Sequence, residues 1–305
     1  MEVKEFNIKG RKNLQLSVMT VKDDVPTKGV VQIFHGMGEH KNRYIPFAKY
    51  LAKEGYVVIA HDHRKHGHSV EKETDLGIFV KGDVWDDIIT DCYIVTGHIF
   101  KEYPRLPITV LGHSMGSIIA REFLGRYSDV ASKAIIMGTL PEIKMGKAIA
   151  PIMISNILNL FNFKNKPSNF LSELLNKPLM KDFDTPRTKF DWLTFDENQV
   201  DKYIEDPLCG YAYTPIFYKE FFKAIVRVNT SDSIFEGKDI PILFVAGKND
   251  PVGEYGSGVK EIRELYSGHG FLNLTLKLFE DQRHEILNEK KNKEVYKYIL
   301  DWLNK

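Results

Sequence analysis

Cysteine is scarce in this chain: Cys92 and Cys209 are the only two in 305 residues. Two cysteines cannot make a disulfide framework and are too few for a cysteine-based zinc site. Both read as buried or idle thiols in a reducing compartment. Net charge is nearly absent as well, with 42 Lys and Arg against 41 Asp and Glu. That balance argues against a phosphate-tracking surface, so no nucleic-acid partner is expected. Long apolar runs are missing. The nearest, residues 148–163 (AIAPIMISNILNLFNF), is broken by Pro151, Ser155, Asn156 and Asn159 and falls short of the ~18 residues of a membrane span. The first ten residues, MEVKEFNIKG, mix charges and lack the apolar segment of a secretory signal. Repeats and low-complexity tracts are absent too. The expectation is a soluble cytoplasmic protein. Its 43% hydrophobic content excludes disorder and supplies a sizeable core.

What the chain does have is a regular alternation. Short β-branched runs, apolar on both faces, occur at 30–34 (VVQIF), 56–60 (YVVIA), 108–111 (ITVL), 134–137 (AIIM) and 242–245 (ILFV). Strands covered on both sides in a parallel sheet need that composition. Residues 2–9 and 13–21 alternate and read as an antiparallel pair at the sheet edge; 272–278 (LNLTLKL) is a late strand. Helical spacing falls at 44–53, 81–103, 115–127, 259–266 and 289–303. Strand, helix, strand, helix implies a doubly wound α/β sheet.

The alternation stops after Leu140 and resumes at Ile242, about a hundred residues later and far beyond an ordinary connection. Residues 141–234 read as an inserted helical cap over the carboxyl ends of the strands, where open α/β sheets bind ligands. The remainder, 1–140 and 235–305, is the core domain. Within the insert, 148–163 reads either as an amphipathic lid that touches lipid aggregates or as a helix packed on the cap. Residues 215–222, with Ile216, Phe217, Tyr218, Phe221 and Phe222, either line a tunnel or form a core helix.

The chemistry-bearing motif is Gly112-His113-Ser114-Met115-Gly116, G-x-S-x-G between a strand and a helix. A serine on that sharp turn projects above the sheet, and the helix N-terminus beneath it favours developing negative charge. Small glycines let neighbouring backbone pass. A serine hydroxyl needs a base. In this architecture an acid and then a base follow later in the chain. Asp250, in a turn before Pro251, follows the strand at 242–245; His284 follows the strand at 272–278. Ser114, Asp250 and His284 are therefore the candidate triad. His35-Gly36-Met37-Gly38, after the strand at 30–34, can aim a backbone N–H at the nucleophile. The candidate oxyanion donors are the N–H groups of Met37 and Met115. His35, Gly36 and His113 beside them, and Ile152 and Phe217 in the insert, are candidates for contact with substrate.

HGMGEH…RY at 35–44, DHRKHGHS at 62–69, GHSMG at 112–116, the Asp250 turn and His284 together resemble the monoacylglycerol lipase / lysophospholipase family of serine α/β-hydrolases. The resemblance spans nearly the whole chain. It implies an α/β-hydrolase fold: a mostly parallel eight-stranded sheet with helices on both faces and a helical cap after the sixth strand. It also implies hydrolysis of esters carrying one fatty acyl chain, with the triad and oxyanion donors at the positions named above. The family usually has Gly where Lys65 stands, and often a small residue where Met37 stands. The first departure bears on a surface loop and the second on the shape of an acyl pocket. A lipid ester is the expected partner, with transient contact between the cap and a membrane or micelle surface. Same-fold carboxylesterase, peptidase or perhydrolase chemistry on non-lipid substrates remains the alternative, and a carrier without activity the third.

His61, His63, His66 and His68 raise a metal hypothesis. Against it, Lys65 precedes the third histidine and no remote ligand set is evident. The segment reads instead as a loop pinned by Asp62 and Arg64, and neither metal nor cofactor is expected. Glu39 and Arg43, four apart, are expected to pair and orient the oxyanion loop.

Overall fold

The computed structural model describes residues 1–80, 85–143, 145–160, 165–230, 234 and 240–305. Its centre is an eight-stranded sheet: β1 (Glu2–Lys9), β2 (Gln15–Lys22), β3 (Gly29–Phe34), β4 (Tyr56–His61), β5 (Ile108–His113), β6 (Lys133–Met137), β7 (Ile242–Gly247) and β8 (Leu274–Phe279). The order is β1-β2-β4-β3-β5-β6-β7-β8. β1 and β2 pair antiparallel at one edge, β2 meets β4 antiparallel, and every later pairing is parallel. β3, β4, β5 and β7 are buried from end to end, as runs without a polar face require. The chain thus has the α/β-hydrolase fold.

Helices cover both faces. α1 (Ile45–Lys53) and α9 (Asn292–Leu303) share one layer; α2 (Trp85–Glu102), α3 (Met115–Arg126) and α8 (Ser257–Gly268) form the other. On α9 the buried residues Val295, Tyr296, Ile299, Leu300 and Leu303 recur at three-and-four spacing. That helix starts three residues later than the spacing predicts. Glu289 does not enter it: its carboxylate accepts the N–H groups of Arg283 at 2.8 Å and Phe195 at 3.1 Å. The strand expected at 272–278 begins at Leu274, and Leu272 is left exposed. The early residues of the helix expected over 81–103 lie outside the described residues.

Between β6 and β7 lie α4 (Met145–Leu160), α5 (Asn169–Asn176), α6 (Glu197–Glu205) and α7 (Pro215–Arg227). α7 packs on α4 and, through Phe217, Phe221, Ala224 and Ile225, joins the core above α2 and α3. Among the described residues no helix is long and apolar enough to cross a membrane.

The histidine-rich segment after β4 is a buried cluster. His35, His61, His63 and His66 are fully buried, with ring centroids 4.2 Å (His35–His63), 4.8 Å (His61–His63) and 5.2 Å (His35–His66) apart; His68 is exposed. The loop is pinned as expected. Asp62 accepts the N–H groups of Lys41 and His68, each at 2.8 Å, and pairs with the buried Lys41 ammonium at 3.0 Å. Arg64 pairs with Asp91 at 2.9 Å. Lys65 holds φ at +62°, the left-handed region that explains why glycine is usual there.

Burial holds these histidines neutral, pushing His61 and His66 each down to about 3. An unfolded histidine takes up a proton near 6.5, so the unfolded chain binds more protons in the window between. Stability therefore falls as pH drops below about 6.5, by roughly 2 kcal/mol at pH 5 for each of His61 and His66. Asp91, which burial raises to about 6, acts in the opposite sense, as do the raised His113 and Glu289, against the four lowered imidazoles of His35, His61, His63 and His66. The urea midpoint should drop steadily from pH 7 to pH 5, before ordinary carboxylates protonate; a flat midpoint over that range contradicts the buried neutral cluster.

Candidate active site

The strand ends converge on one rim. Register sets Gly112 beside Phe34 and Ile136, and His113 beside Met137. The turns that follow β3, β5, β6, β7 and β8 therefore open on the same edge of the sheet. Ser114, the residue that precedes α3, has φ +54° and ψ −121°, a conformation that costs a non-glycine residue about 1–3 kcal/mol and persists only where the surroundings hold it. Here the N–H of Ser114 donates to Met137 O at 3.0 Å. The motif's glycines are steric necessities. A Cβ at Gly116 would lie 2.0 Å from Phe34 O, and one at Gly112 would lie 2.1 Å from Gly116 O. No side chain fits between those backbones.

Asp250 is fully buried in the turn after β7. One carboxylate oxygen accepts the Val252 N–H at 2.8 Å, and the other lies 2.9 Å from His284 Nδ1. The turn thus aims the carboxylate at the ring. His284 Nε2 is buried and has no hydrogen-bond partner among the described residues, so the ring does not bond to Ser114 in this state. Bonds of that kind are often long or misaligned in sites without substrate. Ser114 and His284 line the same cavity of about 370 Å³, at the lower end of the usual range for ligand pockets. Its walls are largely apolar, among them Leu140, Ile143, Leu175, Leu179, Tyr218 and Phe221.

The loop after β3 meets the requirement of an anion-binding turn. The Gly36 N–H is committed to Glu39 Oε1 at 2.6 Å and the Gly38 N–H to Tyr213 Oη at 2.6 Å. Between them the Met37 N–H has no acceptor among the described residues, and neither has that of Met115 at the start of α3. Both residues line the cavity.

Glu39 organises the surroundings. Its carboxylate accepts from the Gly36 N–H and from the Tyr44 hydroxyl at 2.9 Å, and lies 3.3 Å from His113 Nδ1 and 3.0 Å from Arg43 Nη1. The expected Glu39–Arg43 pair is present, and Arg43 also forks onto Glu285 at 2.5 and 2.7 Å. Burial opposes a charge on Glu39, but the His113 hydrogen bond and the Arg43 charge hold it well below the carboxylate range. Burial likewise opposes charge on His113, but Glu39 outweighs it and raises the imidazole above its ordinary value. His113 Nε2 lies 3.2 Å from the carbonyl oxygen of His284, linking the serine strand to the histidine loop.

Of the residues expected to touch substrate, Gly36 and His113 line the cavity and three do not. His35 is fully buried, with Nδ1 on Gly36 O at 2.8 Å and Nε2 accepting the His63 N–H at 3.0 Å. It braces the loop from below. Phe217 stacks on Tyr213 with centroids 4.1 Å apart, behind the wall that Tyr218 and Phe221 form. Ile152, half-buried on α4, is not part of the wall. Sequence reasoning missed Trp192, Tyr203 and Tyr211, which do line the cavity; they fall in the stretch without periodicity.

One cluster joins ligand types that the sequence keeps apart. Cys92 Sγ lies 3.9 Å from His61 Nε2, and with His63 the three donor atoms fall within 4.8 Å of one another, all buried. The imidazoles are neutral as a metal requires, but burial pushes the Cys92 thiol well above its usual range, away from the thiolate.

The family model described as Serine aminopeptidase, S33 matches residues 25–291. The chain belongs to this family. Monoacylglycerol lipase of Mycolicibacterium smegmatis is 25% identical over 281 residues, covering 92% of this chain and 89% of the relative. Monoglyceride lipase of Homo sapiens is 27% identical over 266 residues, covering 86% and 77%. Both bear out the resemblance to monoacylglycerol lipases. A thermostable carboxyl esterase from Bacillus coagulans, solved with glycerol, superposes with a TM-score of 0.89 at 24% identity, over 100% of this chain and 98% of that one; it shares the fold. The chain is a serine hydrolase of the α/β-hydrolase class.

The ion pair of His113 and Glu39 has a pH signature. His113, raised above 6.5, contributes stability fully present below that value and lost as pH climbs through its folded pKa. Glu39, depressed below 4.5, contributes stability present above that value and lost as pH falls through its folded pKa. In urea titrations the wild-type advantage over His113→Asn should therefore be greatest between pH 4.5 and 6.5, up to about 3 kcal/mol, and shrink on either side. An advantage independent of pH excludes the pair.

Proposed function

We propose that this protein hydrolyses carboxylic esters of single-acyl lipids, of monoacylglycerol or lysophospholipid type. The observation that carries the reading is the His284 ring. One nitrogen is bonded to the buried Asp250, and the other is buried and unpartnered in an apolar cavity that Ser114 also lines. His284 removes the Ser114 proton as Oγ attacks the ester carbonyl, and Asp250 holds the imidazole in the tautomer that can accept it. The oxyanion is received by the Met37 and Met115 N–H groups. Collapse of the tetrahedral species breaks the ester C–O bond, and the leaving alcohol takes the proton from His284. Water then adds to the acyl-serine, giving its proton to His284 and releasing the acid as Ser114 recovers its hydrogen.

Substrate class follows from the cavity. Its apolar walls suit one acyl chain, and its size favours single-chain esters over bulkier ones. Residues 141–234 act as the cap that supplies most of those walls. On α4 the side chains of Ile149, Met153 and Ile157 are spaced by four and about half exposed, at 45%, 56% and 51%. An apolar stripe of that kind meets a lipid surface from which such substrates are drawn. Replacing all three by serine should lower retention on phosphatidylcholine vesicles severalfold; unchanged retention removes the stripe from the account.

The chemistry is tested first. A fluorophosphonate should label Ser114 in the folded protein and not in Ser114→Ala. Asp250→Asn should lower turnover by about 10⁴, as loss of the equivalent charge does in serine proteases. Over an ester series, kcat/KM should climb from acetate towards medium and long acyl chains. Equal or faster cleavage of acetates overturns the lipid reading. The aminopeptidase description of the matching family favours one second reading, amide cleavage. Faster turnover of aminoacyl anilides than of monoacylglycerols would establish it.

A further inference from the structure

Trp192 belongs to a short 3-10 helix, Asp191–Leu193, between α5 and α6. It is 9% exposed and lines the cavity, and its ring packs on that of His284 with centroids 5.2 Å apart. Its indole Nε1, a donor and nothing else, is buried without a hydrogen-bond partner among the described residues. A buried donor left unpaired is costly, and native structures rarely carry one without reason.

The position of this ring is registered to the catalytic histidine by the residues on either side of it. The Glu285 N–H donates to Leu193 O at 2.7 Å. Arg283 Nη1 donates to Asp191 O at 2.7 Å and to Thr194 O at 3.3 Å, and its guanidinium lies 3.9 Å from the Phe195 ring centroid. Residues 283 and 285 thus clamp 191–195, and Trp192 is held against His284 wherever that loop goes.

Chemistry fixes what passes that point. In ester cleavage the leaving oxygen takes its proton from His284 Nε2, so the alcohol portion of the substrate must approach within hydrogen-bond reach of this nitrogen. The acyl portion has the apolar walls. Trp192, packed on the His284 ring, therefore stands beside the alcohol portion, and its donor has no acceptor among the described residues to compete with the substrate.

We propose that the Trp192 indole N–H donates a hydrogen bond to a hydroxyl oxygen of the leaving alcohol and selects esters of polyols over esters of simple alcohols. The inference rests on the esterase reading above and deepens it. A site built to hydrogen-bond a substrate oxygen discriminates against the analogue that lacks it, because its own polar group is then left unpaired.

The test compares a 1-monoacylglycerol with the ethyl ester of the same fatty acid, in wild type and in Trp192→Phe, which keeps an aromatic ring and deletes the N–H. The ratio of kcat/KM for the monoacylglycerol to that for the ethyl ester should fall about tenfold in Trp192→Phe, the worth of one hydrogen bond. An unchanged ratio, whether both rates fall together or neither moves, overturns the proposal and leaves Trp192 as packing for His284. Wild-type protein that cleaves neither ester overturns the esterase reading instead, and this inference with it. A second measurement needs no variant. In ¹H–¹⁵N spectra of wild-type protein titrated with glycerol, one of the three indole resonances should shift saturably; three unmoved indoles count against the donor.

Discussion

A single buried carboxylate holds this site together. Glu39 accepts from the Gly36 N–H and the Tyr44 hydroxyl, and contacts His113 and Arg43. The four partners come from three parts of the rim: Gly36 from the loop after β3, Arg43 and Tyr44 from the approach to α1, and His113 from the position before Ser114. An uncompensated charge at this depth would cost several kcal/mol. The four contacts make that cost conditional, so the carboxylate is stable only when all the pieces are in register. Arg43 extends the same logic to Glu285, beside His284. The ions therefore act less as a source of net stability than as a specification of geometry. Removing one of them leaves the others exposed to the full desolvation penalty.

That specification explains why the loop after β3 presents one free N–H. A turn of three consecutive amides could direct all of them outward. Here Glu39 takes the Gly36 N–H from below, and Tyr213, nearly two hundred residues away, takes the Gly38 N–H. Tyr213 is in turn bonded to His66 at 2.8 Å. The neutral histidine cluster is thus the floor of the loop, and its rings need neither charge nor metal to do that work. His35 belongs to the same floor. Its place beside the oxyanion donors in the sequence suggests a wall of the pocket, but the backbone sends its ring inward, where both nitrogens meet main-chain groups.

Sequence and structure agree where chemistry follows local geometry. That Ser114, Asp250 and His284 come together on one rim was legible because each comes just after a strand, and parallel strands end on one edge. Gly112 and Gly116 were legible because close backbone approach admits no substitute. The strands were legible from β-branched runs, although several of their ends moved by one or two residues. Trp192 and Tyr203 were not, since their positions depend on contacts across 80 to 170 residues, such as Tyr203 Oη to Gly38 O and Arg283 to Asp191 O. Cys92 beside His61 was invisible for the same reason: a helix face and a strand end meet only once the sheet is covered. Lys65 was read as a departure of composition. It is in fact a backbone strain that this chain tolerates, since the left-handed turn is kept by Asp62 and its partners.

The clamp between Arg283, Glu285 and 191–195 alters how a cap over this cavity can behave. Elements hinged freely on the core could move without disturbing His284. Here the segment that carries Trp192 is bonded to both neighbours of His284 and stacked on Arg283. Motion of that segment would pull on the ring that the proposed mechanism assigns to accept the serine proton. The least costly opening therefore leaves 191–195 with the core and moves elements that make no such bonds. α4 makes none of these bonds, and its packing on α7 would have to move with it. On this argument the stretch between β6 and β7 is divided by packing: 191–195 is registered to the loop that carries His284, and α4 is held through α7.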